Sequence, residues 1–209
     1  MTEPTVVVLD YGSGNIHSVT RALAAAGARV VLTSDSGAAR QAAGLVVPGV
    51  GAFAACLAGL RAVGADEVIV ERVARSRPIL GICVGHQALF ARGVEHGVTT
   101  AGLGLFPGTV AQLPTPRRPH MGWNSLDPGP EGRSRTIWRS APERYYFVHS
   151  YAALSPADLP ADATVAWTEH DGCQLVAAVE WGVVLATQFH PEKSGPAGLA
   201  LLARWVARL

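Results

Sequence analysis

The chain has few of the features that mark secreted, membrane-spanning or nucleic-acid-binding proteins. It contains only three cysteines, none in a CxxC or other metal-ligand spacing, which disfavours a disulfide scaffold and favours a reducing compartment. The net charge of +1 gives no reason to expect nucleic acid or an acidic membrane surface as a partner. The longest hydrophobic region, Leu175 to Ala186, is broken by Glu180 and Gly182. The N-terminus lacks the basic flank and apolar core of a signal peptide. We therefore expect a soluble, cytoplasmic protein.

Cofactor and metal signals are also missing from the sequence. Neither Gly12-x-Gly14 nor Gly49-x-Gly51 extends into a dinucleotide-binding fingerprint, which disfavours a nucleotide cofactor. Cys56 lies in an alanine-rich apolar segment and Cys173 follows a turn signal, so both are interpreted as structural. We expect neither a cofactor nor a metal ion.

Hydrophobic patterning predicts one α/β domain over residues 1–209, since a chain that is 49% hydrophobic can bury a sizeable core. In the first half, apolar runs alternate with helical patterns, which indicates a parallel sheet covered on both faces. The runs are Val6–Asp10, Arg29–Thr33, Gly44–Val47 and Pro78–Ile82, and the main helical patterns are Ala52–Val63 and Asp66–Ser76. From Leu105 onward the patterns favour short strands, a hairpin of Leu175–Glu180 with Val183–Phe189, and a last helix. The predicted fold class is therefore three-layer α/β, with a mostly parallel central sheet flanked by helices and a small antiparallel extension.

A cysteine follows the last of these parallel strands directly. Cys83 stands between the apolar run Pro78–Ile82 and a helical pattern that begins at His86, with Gly81 and Gly85 on either side. Glycine permits a sharp strand-to-helix bend, and free N–H groups at a helix start favour a thiolate and can face an oxyanion. This pattern predicts a nucleophile; the alternative is a buried structural cysteine.

The segment Gln188–Ser194 supplies a matching base and a group to orient it. His190 and Glu192 are two positions apart, so in extended backbone they project to the same face, and Pro191 favours that backbone at His190. The carboxylate can then hold the imidazole in one tautomer while the other ring nitrogen faces the thiol. Cys83, His190 and Glu192 are therefore our candidates for a catalytic triad.

Taken together, GICVGHQ and QFHPEKS resemble the class I glutamine amidotransferase family, whose members hydrolyse the side-chain amide of glutamine through a cysteine thioester. The segments DYGSGN, PGVGAF, PHMGWN and YFVHSY occur in the expected order and narrow the resemblance to its glutaminase subunits of imidazole glycerol phosphate synthase, which serve histidine biosynthesis. The resemblance spans essentially the whole chain and implies the flavodoxin-like fold of that family. It also implies that L-glutamine is the substrate. One departure is His86, where members usually carry methionine; facing the cleft, it would alter local charge or acyl-enzyme turnover.

Two backbone amides are candidates for the oxyanion hole. One is that of Val84, immediately after the nucleophile, and the other is that of Val50 in Pro48–Gly51. The resemblance implies that the peptide at Val50 reorients before the hole is complete. An ordinary strand-to-helix turn would explain the glycines of this loop about as well.

Glutamine binding needs donors for the carboxylate and an acceptor for the ammonium. The resemblance implies the candidates Gly49, Gly51, Gln87, Glu95, His149, Ser150 and Tyr151. Glu95 is the natural partner of an ammonium, although a lone glutamate is more often simply solvated. His149 is an alternative base, but only His190 has a carboxylate at the matching position.

The sequence leaves no room for a domain that would use the released ammonia. At neutral pH free ammonia is mostly protonated, so a biosynthetic glutaminase must deliver it directly to an acceptor site. The resemblance implies that this site lies on a (β/α)₈-barrel cyclase subunit, with which the chain forms a heterodimer. Asn15, Met121, Trp123 and Lys193 are candidates for the contact surface near the ammonia exit. For Trp123, a core position is an equal alternative, and Asn15 can also cap the first helix.

Other functions remain as alternatives. A glutaminase that serves vitamin B6 or anthranilate synthesis is disfavoured by PHMGWN and YFVHSY together with DYGSGN. A catalytically silent binding or regulatory module is disfavoured by the intact set of Cys83, His190 and Glu192. A flavodoxin-like binding domain is weaker still, because phosphate-cradling loops are not evident.

The stretch from Asp127 to Arg135 is interpreted as a surface loop.

Overall fold

A seven-stranded sheet forms the centre of the structure, a computed structural model that describes residues 3–128, 138 and 143–209. The strand order is β11-β12-β13-β4-β3-β1-β2. Its members are β1 (Thr5–Leu9), β2 (Arg29–Thr33), β3 (Gly44–Val47), β4 (Ile79–Ile82), β11 (Thr164–His170), β12 (Cys173–Trp181) and β13 (Val184–Thr187). The pairs among β2, β1, β3, β4 and β13 are parallel, and only β11 and β12 run antiparallel to their neighbours. The predicted fold class is confirmed.

The inner parallel strands are buried because helices cover the sheet, whereas the edge strand β2 is only partly buried. The helices are α1 (Ile16–Ala25), α2 (Ser36–Gln41), α3 (Phe53–Ala62), α4 (Ala65–Ala74), α5 (Val84–Gln87) and α6 (Gly195–Val206). Helix α1 packs with α6, and α2 and α3 pack with α4. Every residue of β3, β4 and β13 is buried, as expected for apolar strands covered on both faces.

Two smaller sheets make up the predicted extension, which is mixed and not purely antiparallel, because two of its strands, Phe90–Glu95 and Phe106–Gln112, pair in parallel. One has the order β10-β7-β5-β6 and the other pairs β8 with β9. The strands are β5 (Phe90–Glu95), β6 (Val98–Ala101), β7 (Phe106–Gln112), β8 (His120–Ser125), β9 (Arg144–His149) and β10 (Tyr151–Ala152). None of the described helices is long and apolar enough to cross a membrane.

Three local expectations were wrong or cannot be compared. The helix expected from His86 to Phe90 is a single turn, and the chain then enters the hairpin β5–β6, which the sequence analysis did not identify. His96 and Gly97, which connect the two strands, both have positive φ, as a tight hairpin turn requires. Asn15 precedes α1 in a left-handed conformation and its side chain makes no capping hydrogen bond. Most of the loop from Asp127 to Arg135 lies outside the described residues.

Candidate active site

Neighbouring parallel strands bring the sequence motifs together at one edge of the central sheet. The order β13-β4-β3-β1 places side by side the segments that follow these strands, which contain His190, Cys83, Pro48 and Asp10. The carboxyl ends of strands in open α/β sheets are where ligands bind. Segments far apart in the chain therefore meet because of strand order.

Cys83 sits on a strained turn between β4 and α5. Its backbone has φ 54° and ψ −110°, a conformation that costs a non-glycine residue on the order of 1–3 kcal/mol. The Cys83 amide donates to Thr187 O at 2.7 Å, and the carbonyl accepts from Gln87 N at 3.0 Å, so the turn is held by β13 and by α5. The side chain is 3% exposed. Such a turn projects the thiol away from the sheet.

The flanking glycines provide space, whereas the strain is carried by Cys83 itself. A Cβ at Gly85 would lie 1.9 Å from the Val47 carbonyl oxygen, and one at Gly81 would lie 3.0 Å from the Gly85 carbonyl oxygen. Neither glycine has a positive φ. The expectation that they relieve a strained bend is thus corrected: they let β3, β4 and the turn approach closely.

His190 faces the thiol and is oriented by Glu192. The Nδ1 atom of His190 lies 2.7 Å from Glu192 Oε1, so it carries a proton and the Nε2 atom is left for Cys83. The His190 amide donates to Tyr146 O at 2.9 Å, and Ser194 Oγ donates to His190 O at 2.6 Å. The ring therefore has a fixed position as well as a fixed tautomer.

Opposing effects set the pKa of His190. Burial lowers it, but hydrogen bonds to Cys83 and Glu192 and electrostatic attraction to both residues outweigh burial and raise it to about 9. An imidazole with this pKa holds a proton taken from the thiol. The pair can therefore act as nucleophile and base.

The backbone between the two residues differs from the expected extended strand. Pro191–Lys193 form a 3₁₀ turn, and only His190 is extended, with φ −100° and ψ 97°. The Glu192 side chain nevertheless reaches the imidazole and is fully buried. Asn15 Nδ2 donates to the same Oε1 atom at 2.5 Å, so a candidate for the partner contact surface also contacts a member of the candidate triad.

The candidate oxyanion hole is incomplete in this conformation. The Val84 amide donates to the Gly49 carbonyl oxygen at 3.4 Å, so the donor that an oxyanion would need faces a carbonyl. A planar trans peptide directs its N–H opposite to its C=O, so the Val50 amide points away from Val84. Rotation of the Gly49–Val50 peptide would reverse both directions.

Most of the candidate residues line one cleft of about 210 Å³ around the thiol. Of the described residues it is lined by Val50, Gly51, Cys83, Val84, Gln87, Glu95, Val148, His149, Ser150, Tyr151, His190 and Lys193. Gly49 packs behind this surface, where a Cβ would lie 2.2 Å from Gly85 N. Candidates from four separate motifs are thus brought into one cavity.

Gln188 is a residue that the sequence analysis missed. It is fully buried, and its Nε2 atom lies 3.8 Å from Cys83 Sγ, within reach of a weak hydrogen bond to sulfur. Gln87 Nε2 donates to Gln188 Oε1 at 3.0 Å and to Tyr151 O at 2.8 Å. The amide hydrogens of Gln87 are therefore occupied, which leaves its oxygen as the group it can offer to a ligand. The position of Gln188 directly before Phe189 and His190 was the available signal.

Glu95 lies in the cleft with one oxygen already used. Its Oε2 atom accepts from the Phe53 amide at the start of α3, at 2.8 Å. A carboxylate is stabilised at a helix N-terminus, which fixes this side chain in place. The Oε1 atom remains as the acceptor for an ammonium group.

His149 is unsuited to be the general base. Its Nδ1 atom lies 3.0 Å from Tyr151 O, its Nε2 atom lies 3.1 Å from His120 Nδ1, and the His120 Nε2 atom is 3.3 Å from Asn124 Nδ2. Burial, followed by the neighbouring His120, lowers the pKa of His149 to about 3. The ring is therefore neutral with both nitrogens engaged, which favours His190 as the base.

His86 faces the core and not the cleft, which corrects the expected orientation. The residue is fully buried, and its ring lies 5.2 Å from that of Phe90 and 6.4 Å from that of Phe106. Neither ring nitrogen has a hydrogen-bond partner among the described residues. Burial lowers the pKa of His86 to about 3, so it is neutral and unsatisfied.

Replacement of His86 by methionine is expected to stabilise the fold by about 1–3 kcal/mol at pH 7, because two unsatisfied polar atoms are removed. At acidic pH the gain grows. Unfolded His86 takes up a proton below its ordinary pKa of 6.5, whereas the folded residue stays neutral down to about pH 3, so falling pH favours unfolding of the wild type. At pH 5 this adds about 2 kcal/mol to the difference.

Urea unfolding at pH 7 and pH 5 measures this effect. The matched control is His17→Met at an exposed position of α1, which is expected to change stability by less than about 0.5 kcal/mol at either pH. A His86→Met gain that stays the same at both values would contradict the argument from protonation.

The remaining contact candidates lie on β8 and beside the triad. Met121 is 61% exposed and Trp123 is 48% exposed, which favours a surface position over a core position for Trp123. The Trp123 ring lies 6.1 Å from that of Tyr146, whose backbone pairs with His190. An exposed apolar surface therefore adjoins the cleft, while Lys193 lines the cleft itself.

The described part of the chain contains no group of three or more His, Cys, Asp and Glu side chains arranged to hold a metal ion.

Comparisons with known proteins agree on one family. Residues 7–209 match the family Glutamine amidotransferase class-I. The imidazole glycerol phosphate synthase subunit HisH of Mycolicibacterium paratuberculosis is 54% identical over 211 residues, covering 100% of both chains. The subunit of the same name from Thermobifida fusca is 53% identical over 214 residues, covering 99% of this chain and 100% of the relative.

Solved structures support the fold independently. A crystal structure of a glutamine amidotransferase superimposes with a TM-score of 0.74 at 20% identity, covering 97% of this chain and 99% of the other. The structure of PurLQS from Thermotoga maritima superimposes with a TM-score of 0.68 at 20% identity, covering 99% of both chains. At these identities the likeness establishes the shared architecture.

Proposed function

The chain belongs to the class I glutamine amidotransferases, as a HisH-type glutaminase subunit of imidazole glycerol phosphate synthase, and from this premise we propose how its residues perform the reaction. Residues 1–209 act as one domain that hydrolyses L-glutamine to glutamate and ammonia. The observation that carries the proposal is the meeting of Cys83 with His190, which is oriented by Glu192, inside one cleft. The predicted family and function are confirmed at this level.

Catalysis begins with transfer of the Cys83 thiol proton to His190 Nε2. The thiolate attacks the side-chain amide carbon of glutamine, and the carbonyl π electrons move to oxygen to form a tetrahedral oxyanion. His190 then donates its proton to the departing nitrogen as the C–N bond breaks, which releases ammonia and leaves a thioester. Water, deprotonated by His190, attacks the thioester, and the returning thiol completes the cycle. Glu192 stabilises the imidazolium in both halves.

The oxyanion needs two amide donors, and we assign them to Val84 and Val50. The Gly49 carbonyl now accepts from Val84, so the Gly49–Val50 peptide must rotate before both donors face the reacting oxygen. A chain that rests in this conformation should be a poor glutaminase on its own. A partner that favours the rotated peptide would activate it by shifting this equilibrium.

Glutamine is held by groups that line the cleft on either side of the thiol. Glu95 Oε1 and Gln87 Oε1 are acceptors for the ammonium, because their other polar atoms are already bound. The segment of His149, Ser150 and Tyr151, together with the backbone at Gly51, also lines the cleft and contacts the rest of the amino acid. Gly49 contributes indirectly through its packing against Gly85.

Ammonia is used on another polypeptide, which we identify as a (β/α)₈-barrel cyclase subunit. The family match covers residues 7–209, and full-length relatives carry the name of a synthase subunit, which supports a separate partner polypeptide. The exposed side chains of Met121 and Trp123 form an apolar contact surface beside the cleft, with Lys193 at its edge. Asn15 supports this region from the triad side through Glu192.

Glutamate release by the purified chain tests the proposal, measured alone and with a barrel cyclase loaded with its phosphorylated acceptor-site ligand. We expect low turnover alone and at least about tenfold higher turnover in the loaded complex, because the oxyanion hole must be completed. High turnover that does not respond to partner or ligand would overturn the partner assignment. No turnover under any condition would favour the silent binding module.

A further inference from the structure

The loop that supplies Val50 is anchored from beneath by a buried tyrosine. Tyr11, which follows β1 and is 9% exposed, donates its hydroxyl hydrogen to the Pro48 carbonyl oxygen. Its ring lies directly against α3, where a Cβ at Gly59 would be 2.8 Å from the ring. The Pro48–Gly49 peptide is therefore tied to the core immediately before the peptide that must rotate.

Cys56 on α3 lies between Tyr11 and the nucleophile turn, the turn at Cys83 and Val84 between β4 and α5. Its Sγ atom lies 3.2 Å from the Tyr11 hydroxyl oxygen and 4.0 Å from the Val84 carbonyl oxygen. The hydroxyl hydrogen of Tyr11 is committed to Pro48, so the Cys56 thiol is the donor in the contact between them. The Tyr11–Cys56 pair therefore contacts both backbone segments that flank the candidate oxyanion hole, one at Pro48 and the other at Val84.

Both members of the pair keep their protons near neutral pH. Burial raises the pKa of the Cys56 thiol to about 11, and burial also raises the pKa of the Tyr11 hydroxyl above its ordinary value. Each group therefore remains a hydrogen-bond donor under the conditions in which the enzyme works.

Packing divides the loop into a fixed part and a movable part. Gly49 is held against the nucleophile turn, since a Cβ there would meet Gly85 N at 2.2 Å, whereas Val50 is 36% exposed. With the Pro48 carbonyl fixed by Tyr11, rotation is confined to the torsions on either side of the Gly49–Val50 peptide.

We infer that Tyr11 is a positioning residue for the oxyanion hole. Tyr11 holds the Pro48–Gly49 peptide, so that rotation of the Gly49–Val50 peptide places the second donor, the Val50 amide, accurately. Cys56 supports Tyr11 in this position. This inference rests on the proposed glutaminase function. Tyr11 does not line the cleft and so acts only through the loop.

The test is Tyr11→Phe in the complex with the ligand-loaded barrel cyclase. The kcat for glutamate release is expected to fall about tenfold or more while KM for glutamine changes less than about twofold, because an oxyanion exists only after attack has begun. The matched control is Tyr145→Phe, which removes a buried hydroxyl that donates to Glu143 away from the loop, and it should leave kcat unchanged. A kcat for Tyr11→Phe within twofold of the wild type would overturn the inference, as would an equal loss in Tyr145→Phe.

Alkylation of Cys83 by iodoacetamide, followed by peptide mapping, separates a misplaced oxyanion hole from a damaged nucleophile. Alkylation needs the thiolate but no oxyanion hole, so its rate in Tyr11→Phe should match that of the wild type. An equal loss of alkylation and turnover would show general damage and overturn the positioning role.

Should Tyr11→Phe fail to fold, Cys56→Val carries the same test. It removes the thiol donor at similar volume, and kcat is expected to fall about threefold with KM unchanged; an unchanged kcat would overturn the inference. A wild-type complex without any turnover would instead overturn the proposed function, so the two failures are distinguishable.

Discussion

Cys83→Ala is expected to abolish glutamate release, lowering kcat by about 10⁴-fold or more, because no other group can form the thioester. Gln188 and His190 would still surround the site, but neither can replace the thiolate. The variant should remain folded, since alanine meets the same backbone strain at φ 54° as cysteine does. A stability change below about 1 kcal/mol is expected, as the thiol is a small part of the core. Glutamate release by the loaded complex and urea unfolding measure the two quantities.

Cys173→Ala is the matched control, because it removes a partly exposed thiol at the start of β12, away from the cleft. It should retain full turnover. Residual activity of Cys83→Ala above about one part in a hundred would contradict the nucleophile assignment, since loss of a covalent nucleophile leaves only binding and oxyanion stabilisation. A second strained-turn variant, Cys83→Gly, should be equally inactive but more stable, because glycine adopts a positive φ without a Cβ clash.

The candidate triad could be proposed from the sequence because each member carried a local signal, and the structure brings its members together. A glycine-flanked cysteine after an apolar run, and a histidine two residues before a glutamate, are patterns that need no tertiary information. The parallel sheet then explains why Cys83 and His190 meet, since β4 and β13 are adjacent and the Cys83 amide donates to Thr187. The local backbone was less predictable, as the 3₁₀ turn at Pro191–Lys193 shows.

The orientation of His86 could not be predicted, because it depends on elements that the sequence did not reveal. Its ring is enclosed by Phe90 and Phe106, which begin β5 and β7. Residues His86 to Phe90 had been interpreted as the start of a helix, and the strands β5 and β7 behind the turn at Cys83 were not identified there. A side chain on a single helical turn can face either side, and only tertiary packing decides between them.

Asn15 and Gln188 illustrate the same limit for polar residues. Asn15 is at the position of an N-cap, yet its left-handed backbone turns the side chain to Glu192. Gln188 stands in a motif that was recognised, but its contact with Cys83 Sγ follows from the pairing of β13 with β4. Long-range partners of this kind are set by register between strands, which local sequence patterns do not specify.

Arg72→Met is expected to cost about 3–5 kcal/mol of stability, the largest loss we expect from a residue outside the cleft. Arg72 on α4 is 1% exposed, and its guanidinium donates to five backbone carbonyls, those of Ala39, Arg40, Ala42, Ala43 and Pro78, at 2.8 to 3.3 Å. Burial lowers the pKa of Arg72 to about 10, so it is still a cation at neutral pH. Methionine fills much of the space but donates nothing, which leaves buried acceptors unsatisfied at about 1–3 kcal/mol each before water or relaxation compensates.

The substitution should affect turnover only through stability. These carbonyls lie at the end of α2 and before β3 and β4, whereas Val50 and Cys83 follow the opposite ends of the same strands. Urea unfolding of Arg72→Met should therefore show a lower midpoint, while the folded enzyme keeps its kcat. Arg75→Met on the same helix is the matched control, since that side chain is 70% exposed and forms a surface ion pair with Glu71. Arg72→Lys keeps the charge but offers fewer donors, so its stability should fall between the two. The losses in the free energy of unfolding of Arg72→Met and Arg75→Met could instead agree to within about 1 kcal/mol. The five carbonyls would then not depend on the guanidinium, and β3 and β4 would be held by their apolar packing alone.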